Sequence, residues 1–183
     1  MLLCIDMQND FITGSLSVNG ADEMMHTFTD YISRTKLSDF DEISFTQDWH
    51  PENHISFIMN GGEFPRHCTM NSCGAALYDD ILTSMNAIGK NYKVYHKGTD
   101  SNIEEYSIFS RTTIDSMNLK LKCKEMSEID ICGIADKYCV KSTILDLINE
   151  GMKNKLKVLT DFIGYMGDKT EFIEWLDKLN IKH

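Results

Sequence analysis

The chain has 183 residues, 42% hydrophobic and 25% charged, the proportions of an ordinary globular protein and a length that suits a single domain spanning 1–183. A formal net charge of −10 argues against nucleic-acid or anionic-membrane partners, and no stretch approaches the roughly 20 apolar residues that cross a bilayer. The opening MLLCIDMQND lacks the basic start and apolar length of a signal peptide, so the cysteines at 4, 68, 73, 123, 132 and 139 are expected to be reduced thiols of a cytoplasmic protein.

Leu2 to Asp6 is apolar up to its closing carboxylate and predicts a central parallel strand. MQNDFITGSLSVNGAD is polar and rich in turn formers, and predicts a long loop. Asp22 to Lys36 carries a weak helical pattern through Met25, Phe28 and Ile32. Asp41 to Gln47 predicts a second strand running into Asp48-Trp49-His50-Pro51. Pro51 to Ala76 has no long periodic run and contains Gly61-Gly62, Pro65 and Gly74. A loop of this length inside a compact domain is usually functional or disordered, and Phe57, Phe64 and His67 argue against disorder. Tyr92 to His96 predicts a third strand, ending in Lys97-Gly98. Ile103 to Lys124 predicts a loop with one or two irregular helical pieces.

Ile129 to Ile134 predicts a strand buried on both faces. After Asp136 the period becomes helical through Val140, Ile144, Leu147 and Ile148, and Gly151 stands where a helix would stop. Asp136 is the expected N-cap, with Cys139 in the first turn, where backbone N–H groups favour a thiolate. A lone cysteine is more often a buried structural residue than a nucleophile. Leu156 to Leu159 predicts a fifth strand, followed by Asp161, and Lys169 to Leu179 an amphipathic helix with Phe172, Ile173, Leu176 and Leu179 on one face.

This alternation predicts a three-layer α/β/α fold around a doubly wound parallel sheet of five or six strands, order 3-2-1-4-5 with any sixth strand at the end. Asp6, the pair Asp48 and His50, Lys97 and Cys139 each fall at the C-terminal end of a different predicted strand. Ligand sites of open α/β sheets occupy that edge, so a catalytic role for Cys139 gains weight over a structural one.

The stretches IDMQNDFITGSLSV, FTQDWHPENHISF, FPRHC, HKGTDSNIEEYSIF, GIADKYCVKSTILD and VLTD resemble the isochorismatase-like cysteine hydrolases, and within them the metal-containing nicotinamidases, also called pyrazinamidases. The resemblance spans almost the whole chain. It implies a Cys139–Asp6–Lys97 triad and a divalent metal ion held by Asp48, His50 and His67. It also implies a cis peptide between Ile134 and Ala135, with backbone N–H groups of Ala135 and Cys139 forming an oxyanion hole, and a ring-binding slot made by Phe11, Phe64 and Tyr106. The implied reaction is hydrolysis of nicotinamide, a small-molecule substrate, to nicotinate and ammonia through a thioester.

In that scheme Asp6 takes the thiol proton and returns it to the departing ammonia, while Lys97 and the helix N-terminus activate the thiol. Two imidazoles and a carboxylate leave open metal positions, as catalytic sites do. They suit zinc first, with iron or manganese as alternatives. Glu63 is an additional candidate ligand, and His67-Cys68 with Cys73 an alternative thiolate set. Asp136-Lys137 stands where this family commonly has Thr-Asp, and Phe64 where Trp is frequent. The alternatives are another hydrolase of the superfamily acting on a different small amide or carbamoyl compound, and a catalytically silent binding protein. A homo-oligomer is compatible with the sequence.

Overall fold

A computed structural model describes residues 1–34 and 39–183. One sheet of five parallel strands, in the order 3-2-1-4-5, runs through the middle. The strands are β1 (Leu2–Ile5), β2 (Ile43–Asp48), β3 (Lys93–Lys97), β4 (Ile129–Ile134) and β5 (Leu156–Gly164). The helices are α1 (Asn9–Ile12), α2 (Ala21–Arg34), α3 (Asp79–Ile88), α4 (Ile114–Glu125), α5 (Lys141–Asn149) and α6 (Lys169–Lys178). Among the described residues no helix is long and apolar enough to cross a membrane, and all six cysteines are unpaired.

Every residue of β1, β2 and β4 is buried, as both faces of the sheet are covered. Alternation divides β1 between two cores. Leu2 and Cys4 join Met25, Phe28 and Ile32 of α2 and Ile81 and Met85 of α3. Leu3 and Ile5 join Leu119 of α4, Ile144 and Leu147 of α5, and Phe172 and Leu176 of α6 on the other face.

The strand order reverses between β1 and β4, the switch point at which such sheets bind ligands. Gly133, at φ +128°, lets the two strands close there, since a Cβ on it would meet the Ile5 backbone oxygen at 2.1 Å. Asp6 and Ala135 therefore leave the sheet side by side.

Three elements differ from those the sequence predicts. Helix α3 arises between the long loop and β3, where no element was expected. Within the expected N-terminal loop, Asn9–Ile12 forms the short α1. Strand β5 continues to Gly164, five residues past Leu159, after a register shift against β4 between Ile131 and Gly133. The expected end of the second helix at Lys36 lies outside the described residues.

Candidate active site

Lys97, the last residue of β3, is 2% exposed and reaches across the strand ends. Its Nζ lies 2.5 Å from Asp48 Oδ1 and 2.9 Å from Asp6 Oδ2. It also donates to the Glu105 carbonyl at 3.1 Å and sits 3.5 Å from Cys139 Sγ. Burial works against a charged Lys97, but the Asp48 and Asp6 carboxylates outweigh it and hold its pKa well above the ordinary lysine value. The three residues expected to act together thus meet at one point, and Asp48, expected only as a metal ligand, joins them.

Asp6 follows β1 in a left-handed conformation, φ +49°, uncommon outside glycine and tolerated by aspartate. Its Oδ1 accepts from Thr46 Oγ1 at 2.6 Å. Its buried Oδ2 faces Lys97 as an ion pair but accepts no aligned hydrogen bond, so it is free to take a proton. Burial raises the Asp6 pKa, with Lys97 pulling against it and Asp48 adding to it.

Cys139 lies in a π-helical turn, Asp136–Val140, that leads into α5. This is a wider turn than the α-helical start expected, and Asp136 does not cap it. Ala135 occupies the N-cap position, and the Asp136 carboxylate instead accepts from Met166 N. The Ile134–Ala135 peptide is cis, as expected. Burial pushes the Cys139 thiol well above the ordinary cysteine range, Lys97 only partly offsets this, and Asp6 and Asp48 push it further. The sulfur lies beside a buried carboxylate and a buried ammonium, and burial opposes the thiolate that the helix start and Lys97 favour.

Asp48, His50 and His67 each bring one ligand atom within 4.8 Å of the others. His50 Nδ1 is hydrogen-bonded to the Gly98 carbonyl at 2.9 Å, and His67 Nδ1 to the Pro65 carbonyl at 2.8 Å. Each bond fixes a ring and leaves Nε2 as the free nitrogen, the arrangement of metal-binding histidines. His50 Nε2 is buried without a hydrogen-bond partner, 3.7 Å from Asp48 Oδ2. A divalent cation fits this donor set and satisfies that nitrogen. Gly98 is required here, since a Cβ would lie 2.4 Å from His50 Cε1.

Glu63 is exposed and belongs to none of the clusters among the described residues that could hold a metal ion. Neither buried Cys68 nor exposed Cys73 belongs to such a cluster, so the thiolate alternative has no geometric support. His54, unassigned in the sequence, stacks on His50 with centroids 3.9 Å apart, and both its nitrogens are engaged, by Ser56 Oγ and the Ile103 carbonyl.

Phe11, Phe64 and Tyr106 all line one cavity, together with Asp48, His67, Ala135 and Cys139. Its lining is mostly aromatic and apolar, which suits a small flat ligand. Tyr138 completes the aromatic wall, 5.6 Å from Phe64 and 5.2 Å from Tyr106 between ring centroids. Glu104 also faces the cavity, and burial followed by the Asp48 charge raises its pKa.

Several supporting residues carry no motif of their own. Buried Gln8 accepts from Asp48 N at 2.8 Å and donates to the Asp48 and Ala75 carbonyls, each at 2.8 Å. Asp10 Oδ2 accepts from Cys68 N at 2.7 Å, tying the histidine loop to α1. Glu105 Oε2 accepts from Gly98 N at 2.9 Å. Their one shared signal is a polar residue inside an otherwise recognisable motif.

The family model for the isochorismatase domain matches residues 1–158. The chain is 31% identical to a nicotinamidase of Saccharomyces cerevisiae over 94% of its own length and 91% of the relative's. It is 34% identical to a nicotinamidase of Escherichia coli over 87% and 80% respectively. The crystal structure of a pyrazinamidase of Pyrococcus horikoshii in complex with zinc superposes with a TM-score of 0.79 at 32% identity, covering 99% of this chain and 96% of that one.

Proposed function

The chain belongs to the isochorismatase family, and within it we infer a nicotinamidase that hydrolyses nicotinamide to nicotinate and ammonia. We read residues 1–183 as one such domain, in a cytoplasmic protein whose thiols stay reduced. The observation that carries the function is the meeting of Cys139 with Asp6 and Lys97 beside an aromatic cavity that Cys139, Asp48 and His67 line.

Cys139 Sγ attacks the amide carbon while Asp6 Oδ2 takes the thiol proton. Because the thiol pKa is raised, proton removal accompanies attack rather than preceding it. The raised carboxylate pKa makes Asp6 a stronger base for this step. Backbone N–H groups of Ala135 and Cys139 receive the developing oxyanion. Asp6 then returns its proton to the amide nitrogen, the C–N bond breaks, and ammonia leaves a nicotinoyl thioester on Cys139. A water molecule, deprotonated by Asp6, attacks the thioester carbon, the C–S bond breaks, Asp6 returns that proton to the departing sulfur, and the nicotinic acid formed releases its own proton to solvent as nicotinate. Lys97 holds Asp6 in place and balances its charge throughout.

Asp48, His50 and His67 would hold a divalent ion, for which we propose zinc. Bound there, it supplies a Lewis-acidic point that can take the pyridine nitrogen and orient the ring. Phe11, Phe64, Tyr106 and Tyr138 exclude water and flank the ring. The test is ammonia release from nicotinamide by the metal-loaded protein. Release at a rate that follows bound metal supports the reading. Turnover of other small amides in preference to nicotinamide returns the chain to another branch of the family.

A further inference from the structure

Met166 stands between two cavities, a boundary it shares with Ser17 and Val18. On one side it lines the aromatic cavity beside Ala135 and Cys139. On the other it lines an outer cavity with Ser17, Val18, Asn19, Tyr165 and Gly167. Its side chain is 46% exposed, so core packing does not hold it. Its backbone is held: Met166 N–H donates to Asp136 Oδ1 at 2.8 Å, and Asp136 is 1% exposed in the turn that carries Cys139. On the preceding residue, Tyr165 OH donates to the Thr160 carbonyl at 2.8 Å.

The carboxylate of Asp136 thus spans from the nucleophile turn to the segment after β5.

We propose that Met166 is a specificity-determining residue, the partition that closes the outer side of the substrate cavity, and that Asp136 is its positioning residue. The inference rests on the nicotinamidase reading. With the partition in place the cavity takes a bare pyridine carboxamide. A pyridine carboxamide bearing a ring alkyl group needs the outer cavity and is turned away. A methionine side chain is flexible enough that only a fixed backbone makes it an effective wall.

The experiment compares kcat and KM for nicotinamide and a set of ring-methylated nicotinamides in four proteins: wild type, Met166→Ala, Asp136→Ala and Asp136→Asn. For the best methylated substrate, Met166→Ala raises kcat/KM relative to nicotinamide by about tenfold, mainly through KM, the scale on which a pocket discriminates one methyl group. Asp136→Ala moves the ratio the same way by about threefold, a partial loss of the same discrimination. Asp136→Asn keeps the acceptor oxygen and restores the wild-type ratio. A ratio unmoved by Met166→Ala overturns the proposal, and so does Asp136→Asn behaving like Asp136→Ala.

A second readout is independent of turnover. The ¹³C-methyl signal of Met166, assigned by its loss in Met166→Ala, moves to the position of a mobile exposed methionine in Asp136→Ala and stays put in Asp136→Asn. A signal indifferent to Asp136→Ala defeats the positioning role even in an active enzyme. A wild type inert towards nicotinamide defeats the functional reading instead.

Discussion

Asp6, Lys97 and Cys139 stand at or just beyond the ends of three strands whose neighbours and register are set by the sheet. His50 and His67 stand in a segment, 50–76, whose regular structure is a single 3-10 turn, Ile58–Asn60, and a few isolated bridges. The first group pairs its charges internally, with the Lys97 ammonium between the Asp6 and Asp48 carboxylates. The second leaves His50 Nε2 buried without a hydrogen-bond partner, and burial lowers the His67 pKa, whereas burial of His50 is outweighed by Asp48, which raises that ring's pKa. The strand-end group is set by the sheet, whereas the histidine wall presents a donor set that a divalent cation fits. Asp48 belongs to both, giving Oδ1 to Lys97 and Oδ2 to the side of His50.

Substitutions divide along that line. Cys139→Ala has the largest effect: turnover falls below about one percent of wild type, while metal content and the sheet are retained, since the nucleophile touches neither imidazole. Asp6→Asn keeps the shape and removes the base. A rate loss of about 10³-fold, within the range for general acid–base catalysis, is expected in single-turnover assays, with metal still bound.

His50→Ala acts on the other side. Elemental analysis then finds the metal lost, nicotinamide binds more weakly, and circular dichroism finds the sheet intact. Chelation of the wild type does the same reversibly and lowers the melting temperature. An ion present at a hundred times its Kd stabilises the folded state by about 2.7 kcal/mol, and removing it forfeits that amount. A melting temperature indifferent to chelation would show that the histidine wall is held without an ion.

The smallest effect belongs to Thr46, whose hydroxyl donates to Asp6 Oδ1 and accepts from the Asp6 backbone N–H. Thr46→Val loses a hydrogen bond to a charged group, of order 1.5 kcal/mol, and slows turnover about tenfold. Thr46→Ser restores the rate. Failure of serine to rescue would assign the loss to packing in β2 rather than to the orientation of Asp6.

The same division explains what could be read in the sequence. The strand-end residues were legible because a buried parallel strand is a short apolar run and its last residue is the polar one that follows, as Asp6 and Lys97 are. The histidine pair was legible through resemblance, since a loop has no period to announce its geometry. Helix α3 was passed over because its apolar residues, Ile81, Leu82, Met85 and Ile88, form one short stripe directly after that loop. Its punctuation was present, with Asp79-Asp80 in the first turn and Gly89 at φ +62° after the last.

Gln8, Thr46 and Glu105 were invisible for another reason. Each acts on a backbone group or on a single carboxylate oxygen of a neighbouring strand or loop, and such partners exist only once the sheet has formed. Asp48 was grouped only with the histidines, because its bond to Lys97 crosses between β2 and β3.

The central claim is covalent catalysis at Cys139 on a nicotinamide carbonyl. Its most direct test is intact-protein mass spectrometry of the metal-loaded enzyme, mixed with nicotinamide and quenched in acid within one turnover. The account predicts one added nicotinoyl group, mapped by proteolysis to Cys139, formed as ammonia is released and absent in Cys139→Ala. Ammonia release with no acylated protein at any quench time, and undiminished in Cys139→Ala, would contradict it.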